Sequence, residues 1–299
     1  MNVTKPRLTK TSIKLAVRPP LAVPADAAPL KASKQCIDGV EQKPRVKGND
    51  GPGQTAPVGP VVTEPSSPAN AIEKEVLQTL QGGYGAVATK AIDIKDMLTR
   101  SRMVQEAKDR LDVQVEVLEA LAGGKPGLQA KTNEIKQLMM VALLDERGSK
   151  KLELELAVLG NVTKDFAPLE KRLTAIDSLT TRALLTADAS MSLSAEHRAL
   201  KAFIHGGARI DGQIAAVEQQ LAAGTTPAMK DALTLDQSAL LGVKGGLTGV
   251  RERVQEVKNL MMVARFDVAG LASVTRELNT LEALEKALSS FERRANQIG

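Results

Sequence analysis

Histidine is the side chain most often used for acid–base and metal chemistry at neutral pH, and this chain has two of them. His197 and His205 are eight residues apart, so on one helix they could face the same side two turns apart. No cysteine is near them, and no carboxylate completes the spacing of a metal site. Ordinary surface or partly buried histidines explain the pair better, and we predict no metal ligand and no cofactor.

Acidic residues recur at matching positions of two related segments, Glu134 with Glu256 and Asp145 with Asp267. Paired acids on helices ligate two metals in ferritin-like bundles, which also supply a histidine three residues after a glutamate. Neither histidine here has that spacing. Solvated helix faces are favoured, and a helical-bundle metal protein is the third of three functional hypotheses.

Other catalytic patterns are incomplete. The run Gly82-Gly-Tyr-Gly85 resembles a phosphate-binding loop, but no strand precedes it and no Gly-Lys-Ser/Thr follows, which favours a hinge between helices. Cys36 is the sole cysteine, and no Ser-His-Asp or Cys-His arrangement can be assembled. We predict that the protein is not an enzyme.

The N-terminal 70 residues have the composition of a disordered segment. They contain 11 of the 14 prolines and show neither helical nor strand periodicity, so they cannot bury enough surface to offset chain entropy. Residues 1–60 carry ten Lys or Arg against four acids. This basic charge permits binding to nucleic acid or another anionic surface, but a simple solvated leader explains it better, because the charges are spread among prolines rather than clustered. No apolar run could span a membrane, and localisation stays open.

From residue 71 onward the pattern is that of an all-α protein built from helical hairpins or a bundle. Aromatic residues are scarce, and apolar residues recur with helical periodicity rather than strand alternation. A long helix is predicted over 86–121, with a seam at Met97, Val104, Leu111 and Leu118. The glycine-rich segment 122–127 should then turn the chain into an antiparallel second helix.

A coiled-coil-like seam is predicted near the C-terminus, where steps of four and three alternate. Gly270 is the expected weak point or kink. The residues of the seam are Val250, Val254, Val257, Met261, Ala264, Val268, Leu271 and Leu278.

An internal repeat is the most specific feature. Segment 133–145 matches 255–267 at an offset of 122 residues, while 111–115 matches 210–214 at an offset of 99. The two alignments predict two related units, 71–165 and 166–299. Because the offsets differ, the second unit is predicted to contain an insertion near 225–245 that adds a helix.

Methionine pairs occur in both copies of the repeat; one member of each should face the core, and the other could form an adaptable surface for a partner helix. Core packing alone explains the pairs better. Together with the C-terminal seam they define the predicted partner-binding residues: Met139, Met140, Val254, Val257, Met261, Met262, Val268 and Leu271.

The stretch from Leu260-Met-Met-Val-Ala-Arg-Phe-Asp to Leu288 resembles the C-terminal helix of bacterial type III secretion inner-rod proteins. Rod subunits are shorter and lack a repeat. The resemblance implies a bacterial protein that is secreted or associated with secretion. The leading hypothesis is therefore a non-enzymatic helical interaction or assembly protein that binds a protein partner or itself, and the second is a nucleic-acid or nucleoid-associated protein.

Overall fold

The computed structural model describes residues 67–298, and within them the chain is all-α. No helix of this part is long and apolar enough to cross a membrane. The helices are α1 (Pro68–Gln81), α2 (Gly83–Arg100), α3 (Gln105–Ala122), α4 (Gly124–Val141), α5 (Glu146–Lys164), α6 (Ala167–Arg182), α7 (Ala187–Ile204), α8 (Gly207–Ala222), α9 (Pro227–Lys244), α10 (Gly246–Val263) and α11 (Val268–Gln297).

The helices form a repeat of about 41 residues, shorter than the repeat predicted from sequence. Four-residue loops at 101–104, 142–145, 183–186, 223–226 and 264–267 begin 41, 41, 40 and 41 residues apart. Each loop ends one helix pair; the first four loops precede another pair, and the last precedes the single helix α11. The offset of 122 residues therefore spans three units, so 68–186 is followed by a second set of three at 187–298.

The predicted insertion near 225–245 is wrong. The 99-residue alignment pairs Leu111 in α3, the first helix of its unit, with Ile210 in α8, the second helix of its unit. Those positions are not equivalent. Residues 227–244 form α9, which occupies the place in its unit that α3 occupies 122 residues earlier, and no inserted helix is needed.

The single long helix predicted over 86–121 is also wrong. Ser101 and Val104 both have extended backbone, with ψ of 136° and 140°, and they separate α2 from α3. Met97 and Val104 of the proposed seam are exposed, whereas Val87, Ala91 and Ile94 form the buried face of α2. A seven-residue spacing does not require one continuous helix, and here it links two different helices.

The C-terminal seam is likewise divided by the loop at 264–267. Asp267 begins α11, and its Oδ1 accepts a hydrogen bond from the backbone N–H of Gly270 over 2.7 Å. Asp145 caps α5 in the same way, with 2.8 Å to the N–H of Gly148. The recurring aspartates are thus helix caps, and Gly270 lies in the first turn of a helix rather than at a kink.

Two glycine turns allow the halves of the structure to approach closely. Gly83 has φ of 79°, and a Cβ there would lie 2.2 Å from the carbonyl oxygen of Lys244. Gly124 has φ of 66°, and a Cβ there would lie 2.3 Å from the carbonyl oxygen of Ile204. The turn of the first unit therefore packs on that of the fifth, and the turn of the second on that of the fourth, as an internal twofold arrangement requires.

The four aromatic rings at the centre come from both halves. Tyr84 packs on Phe203 with 5.2 Å between ring centroids, and Phe166 packs on Phe291 at 5.3 Å. The Tyr84 hydroxyl donates a hydrogen bond to the carbonyl oxygen of Phe203 over 2.5 Å, and its burial raises its pKa above the ordinary value. The scarce aromatic residues thus join the two halves.

Candidate partner-binding surface

A polar residue recurs once in every unit of the repeat, and it is buried in the first five units and half-buried in the sixth. Each lies in the first helix of its unit, followed three, four and seven residues later by core positions such as Val76, Leu77 and Leu80. We call this set the polar row: Glu73, Gln114, Glu155, Glu196, Asp236 and Glu277.

Two members of the polar row make equivalent ion pairs. Arg172 donates from Nε and Nη2 to the two carboxylate oxygens of Glu196 over 2.6 and 2.7 Å. Arg294 Nε and Nη2 lie 2.9 and 2.7 Å from Glu73 Oε1. Because the arginines are 122 residues apart and the glutamates 123, the same contact occurs twice, once between adjacent units and once between the last unit and the first.

Most other members of the row are also neutralised by a basic side chain. Arg253 Nη2 lies 2.9 Å from Glu277 Oε1, and Arg198 pairs with Asp236. These ion pairs, made by buried or half-buried carboxylates, join successive units. Among residues 67–298 no three His, Cys, Asp or Glu side chains are grouped closely enough to hold a metal ion.

Two carboxylates have an oxygen that is buried without a hydrogen-bond partner: Glu155 Oε1 and Asp165 Oδ2. Burial raises the pKa of Glu155 to about 7, although Lys131 Nζ is 4.0 Å away. Burial, reinforced by the negative charge of Glu73, raises the pKa of Asp165 to about 7. Both groups therefore keep a proton to a higher pH in the folded protein than an exposed carboxyl group does.

The two histidines serve separate local contacts. His197 Nε2 lies 3.2 Å from Asp177 Oδ1, and His205 Nδ1 lies 2.7 Å from the carbonyl oxygen of Lys201. His205 ends α7 at the turn into α8. The pair therefore does not converge on one site.

Exposed large apolar residues lie at several helix ends, among them Val104 and Leu184, and two related helix ends hold the largest groups of them. The first apolar tip, where α4 leads into α5, consists of Leu138, Met140, Val141, Leu143 and Leu144. The second apolar tip, where α10 leads into α11, consists of Leu260, Met262, Val263 and Val268.

Corresponding residues of the two tips are exposed to nearly the same extent. Met140 and Met262 are 77% and 78% exposed, and Val141 and Val263 are 86% and 85% exposed. The fully buried face of α4 ends at Ile135 and that of α10 at Val257. In the last turn of α4 only the half-buried Met139 still packs against the core.

The predicted partner-binding residues divide into three groups. Met140, Met262, Val268 and Leu271 are exposed, whereas Met139 and Met261 are half-buried.

Val254 and Val257, in contrast, are only 6% and 2% exposed. Their selection as partner-binding residues is wrong, because they form the core-facing stripe of α10. The seven-residue spacing places them on one apolar stripe, and that stripe packs against other helices of the same chain.

Sequence reasoning missed Leu138, Val141, Leu260 and Val263. A usable signal was present, because Leu-Met-Met-Val-Ala is identical at 138–142 and 260–264. Apolar residues at the end of a helix, followed by an N-cap aspartate, would have indicated an exposed tip.

Two of the grooves on the described part of the chain lie near these helices. One, of about 890 Å³, lies between α3 and α5 and is lined mainly by charged residues, among them the Asp109–Arg147 ion pair. The other, of about 730 Å³, lies between α7 and α11 and is lined by Leu193, Leu271 and Arg276 among others. Val268 of the second apolar tip lies at its edge.

Comparison of the chain with protein-family models, curated proteins and solved structures finds no match in any of the three.

Proposed function

We propose that the protein is a non-enzymatic helical interaction protein that binds a protein partner through its two apolar tips. The observation that carries the proposal is the identity of the exposed residues Leu138, Met140 and Val141 with Leu260, Met262 and Val263. Internal packing does not explain that identity, because these side chains contact mainly solvent.

The buried positions of the same helices behave in the opposite way. Leu128 and Ile135 in α4 correspond to Val250 and Val257 in α10, so the core has changed between the copies. Core positions tolerate exchange of one aliphatic residue for another when the total volume is kept. Exposed positions are free to become polar, which favours solubility. The exposed apolar residues Leu138, Met140 and Val141 are nevertheless identical in the second copy. That identity supports a contact outside the chain.

The chemistry of the tips favours a protein partner with an apolar surface. Methionine is flexible and polarisable, and it adapts to irregular apolar surfaces such as a helix face. Burying apolar area contributes roughly 25 cal/mol per Å². A few such side chains on each tip therefore supply the core of an interface, with Asp145 and Asp267 at its polar edge.

Sedimentation velocity of the full chain tests whether the partner is a second copy. Wild type is compared with a Met140→Lys/Met262→Lys variant and with Met229→Lys, a control at a methionine that is 54% exposed on α9, outside the tips. Self-association that disappears only in the tip variant would identify a second copy as the partner.

Site-specific photo-crosslinking in the cell tests for a different protein. A photoreactive residue at position 140 or 262 should yield the same adduct, and one at position 229 should not. If neither tip position yields an adduct above that control, and the chain is monomeric, the proposal is wrong.

A secretion role is a separate proposal, supported by the basic N-terminal segment and the inner-rod resemblance. The resembling stretch from residue 260 to 288 contains the loop at 264–267, so it is two helices here. Export of a reporter fused to residues 1–70 tests the proposal, and a reporter retained in the cell would contradict it.

A further inference from the structure

The two most exposed methionines of the described residues lie at equivalent positions of the two apolar tips. Met140 is 77% exposed and Met262 is 78% exposed, whereas Met229 is 54% and Met97 is 46% exposed. The sequence around both tip methionines is Leu-Met-Met-Val-Ala, and each lies in the last turn of its helix. The two sulfur atoms therefore have the same neighbours along the chain and similar access to dissolved reagents.

The preceding methionine of each tip is shielded. Met139 is half-buried and packs against the core, and Met261 is half-buried as well. Successive side chains of a helix point about 100° apart, so one methionine of a pair can face the protein while the next faces solvent. Each tip thus presents one accessible thioether and one shielded thioether.

The thioether of methionine reacts with peroxides to give methionine sulfoxide. The sulfur lone pair attacks one oxygen of hydrogen peroxide, so that an S–O bond forms as the O–O bond breaks. The hydroxyl proton moves to the departing hydroxide, which leaves as water. Sulfur loses the two electrons that the peroxide gains. The product is a polar side chain whose oxygen accepts hydrogen bonds, and methionine sulfoxide reductases return it to methionine.

We propose that Met140 and Met262 are modification sites at which a peroxide prevents the apolar tips from binding their partner, a regulation that rests on the proposed function. Oxidation places a polar oxygen in the middle of each apolar surface. A partner that covers this oxygen removes its hydrogen bonds to water, and an apolar partner surface offers none in return. Because a bound partner shields the sulfur, peroxide reacts with an unoccupied tip.

Methionine is not needed for an apolar contact alone. Neighbouring exposed positions of the first tip are aliphatic, Leu138 and Val141, and the second tip repeats both residue types. Leucine has a volume similar to that of methionine, and exchange of the two is usually tolerated. The same oxidisable side chain at the equivalent place of both tips allows one reagent to act on both surfaces.

Peptide mapping by mass spectrometry tests the assignment of the sites. The purified full chain is treated briefly with hydrogen peroxide, and fragment ions show which methionine of each pair carries the added oxygen. Met140 and Met262 should oxidise at similar rates, and each should react before its shielded neighbour. Oxidation of Met139 before Met140, or of Met261 before Met262, would overturn the assignment.

Site-specific photo-crosslinking in the cell tests the effect on binding. A photoreactive residue replaces Val141 or Val263, next to the accessible methionine, and the yield of adduct is compared before and after exposure to hydrogen peroxide. The yield should fall about tenfold, as expected when one buried acceptor has no hydrogen-bond partner.

Met140→Leu/Met262→Leu is the matched variant, because it keeps the apolar surface and removes both accessible sulfur atoms. It should give the wild-type adduct before peroxide treatment and retain it afterwards, whereas Met229→Leu, outside the tips, should be as sensitive as wild type. Equal loss of the adduct from wild type and the double variant would overturn the proposal, as would an adduct that wild type retains once both methionines are oxidised. Absence of any adduct before treatment would instead contradict the proposed function, and the regulation with it.

Discussion

Glu73 in the first helix and Arg294 in the last form an ion pair across 221 residues of sequence, and Asn161 Nδ2 donates to the other Glu73 oxygen over 2.7 Å. Because Arg172 holds Glu196 in the equivalent way between adjacent units, the contact that joins neighbours also joins the two ends of the described chain. The six units are therefore closed on themselves rather than extended as an open solenoid.

Arg294→Ala should destabilise the fold by about 3 kcal/mol, because it leaves the fully buried Glu73 carboxylate with one neutral partner. Glu73→Leu combined with Arg294→Met should cost less than Arg294→Ala, since no unpaired charge stays buried. Urea unfolding monitored by circular dichroism measures both. An equal loss in the single and double variants would show that the ion pair is not the cause.

Stability should fall as the pH rises from about 4 to about 7. Asp165 and Glu155 ionise near their ordinary pKa values of 3.8 and 4.5 when the chain is unfolded, but at about 7 when it is folded. The folded state binds more protons between those values, so raising the pH favours unfolding. The charged groups that face Asp165 are Glu73, Arg294 and Lys164. In that environment the shift in the pKa of Asp165 should account for roughly 3 kcal/mol of the loss in stability.

Asp165→Asn should remove much of that pH dependence. The free energy of unfolding, measured in urea at pH 5 and pH 8, should then differ less than in wild type. Asp96→Asn is the control, because Asp96 is exposed and pairs only with Arg100 on its own helix. If wild type is as stable at pH 8 as at pH 5, the assigned ionisation of Asp165 is wrong.

Gly83→Ala should destabilise the protein strongly, by more than about 2 kcal/mol, because the backbone is left-handed and the new Cβ would strike the carbonyl oxygen of Lys244. Gly85→Ala should instead stabilise it by about 0.5–1 kcal/mol, since a Cβ there meets no atom within 4 Å and the position is helical. Thermal unfolding of the two variants distinguishes a close turn-to-turn contact from a general cost of removing glycine.

The two tips should bind two copies of one partner. Met140→Lys and Met262→Lys should each reduce the stoichiometry from two partners per chain to one, and the double variant should bind none, because each lysine places a charge in the centre of one apolar surface. Light scattering of the complex identified by crosslinking measures the stoichiometry. Complete loss with one substitution would show that the tips form a single composite site.

Several features could be predicted from the sequence because they depend on local chemistry. Helical periodicity and the absence of strand alternation predicted an all-α fold, and the described residues confirm it. The glycine pair at 123–124 ends one helix and begins the next, as a residue free to adopt positive φ permits. The recurrence of Leu-Met-Met-Val-Ala could be recognised in the sequence, but the exposure of those residues could not.

Tertiary structure alone decided which apolar residues are buried. Val257 and Met262 lie five residues apart in one apolar stretch, yet Val257 faces the core and Met262 faces solvent, because the neighbouring helices cover only the first part of α10. The 41-residue unit could not be recognised from the sequence, because packing requires an aliphatic residue at each core position but not a particular one. The sequences of the copies therefore diverged. Closure of the ring by Glu73 and Arg294 depends on how six units pack together, which no local pattern encodes.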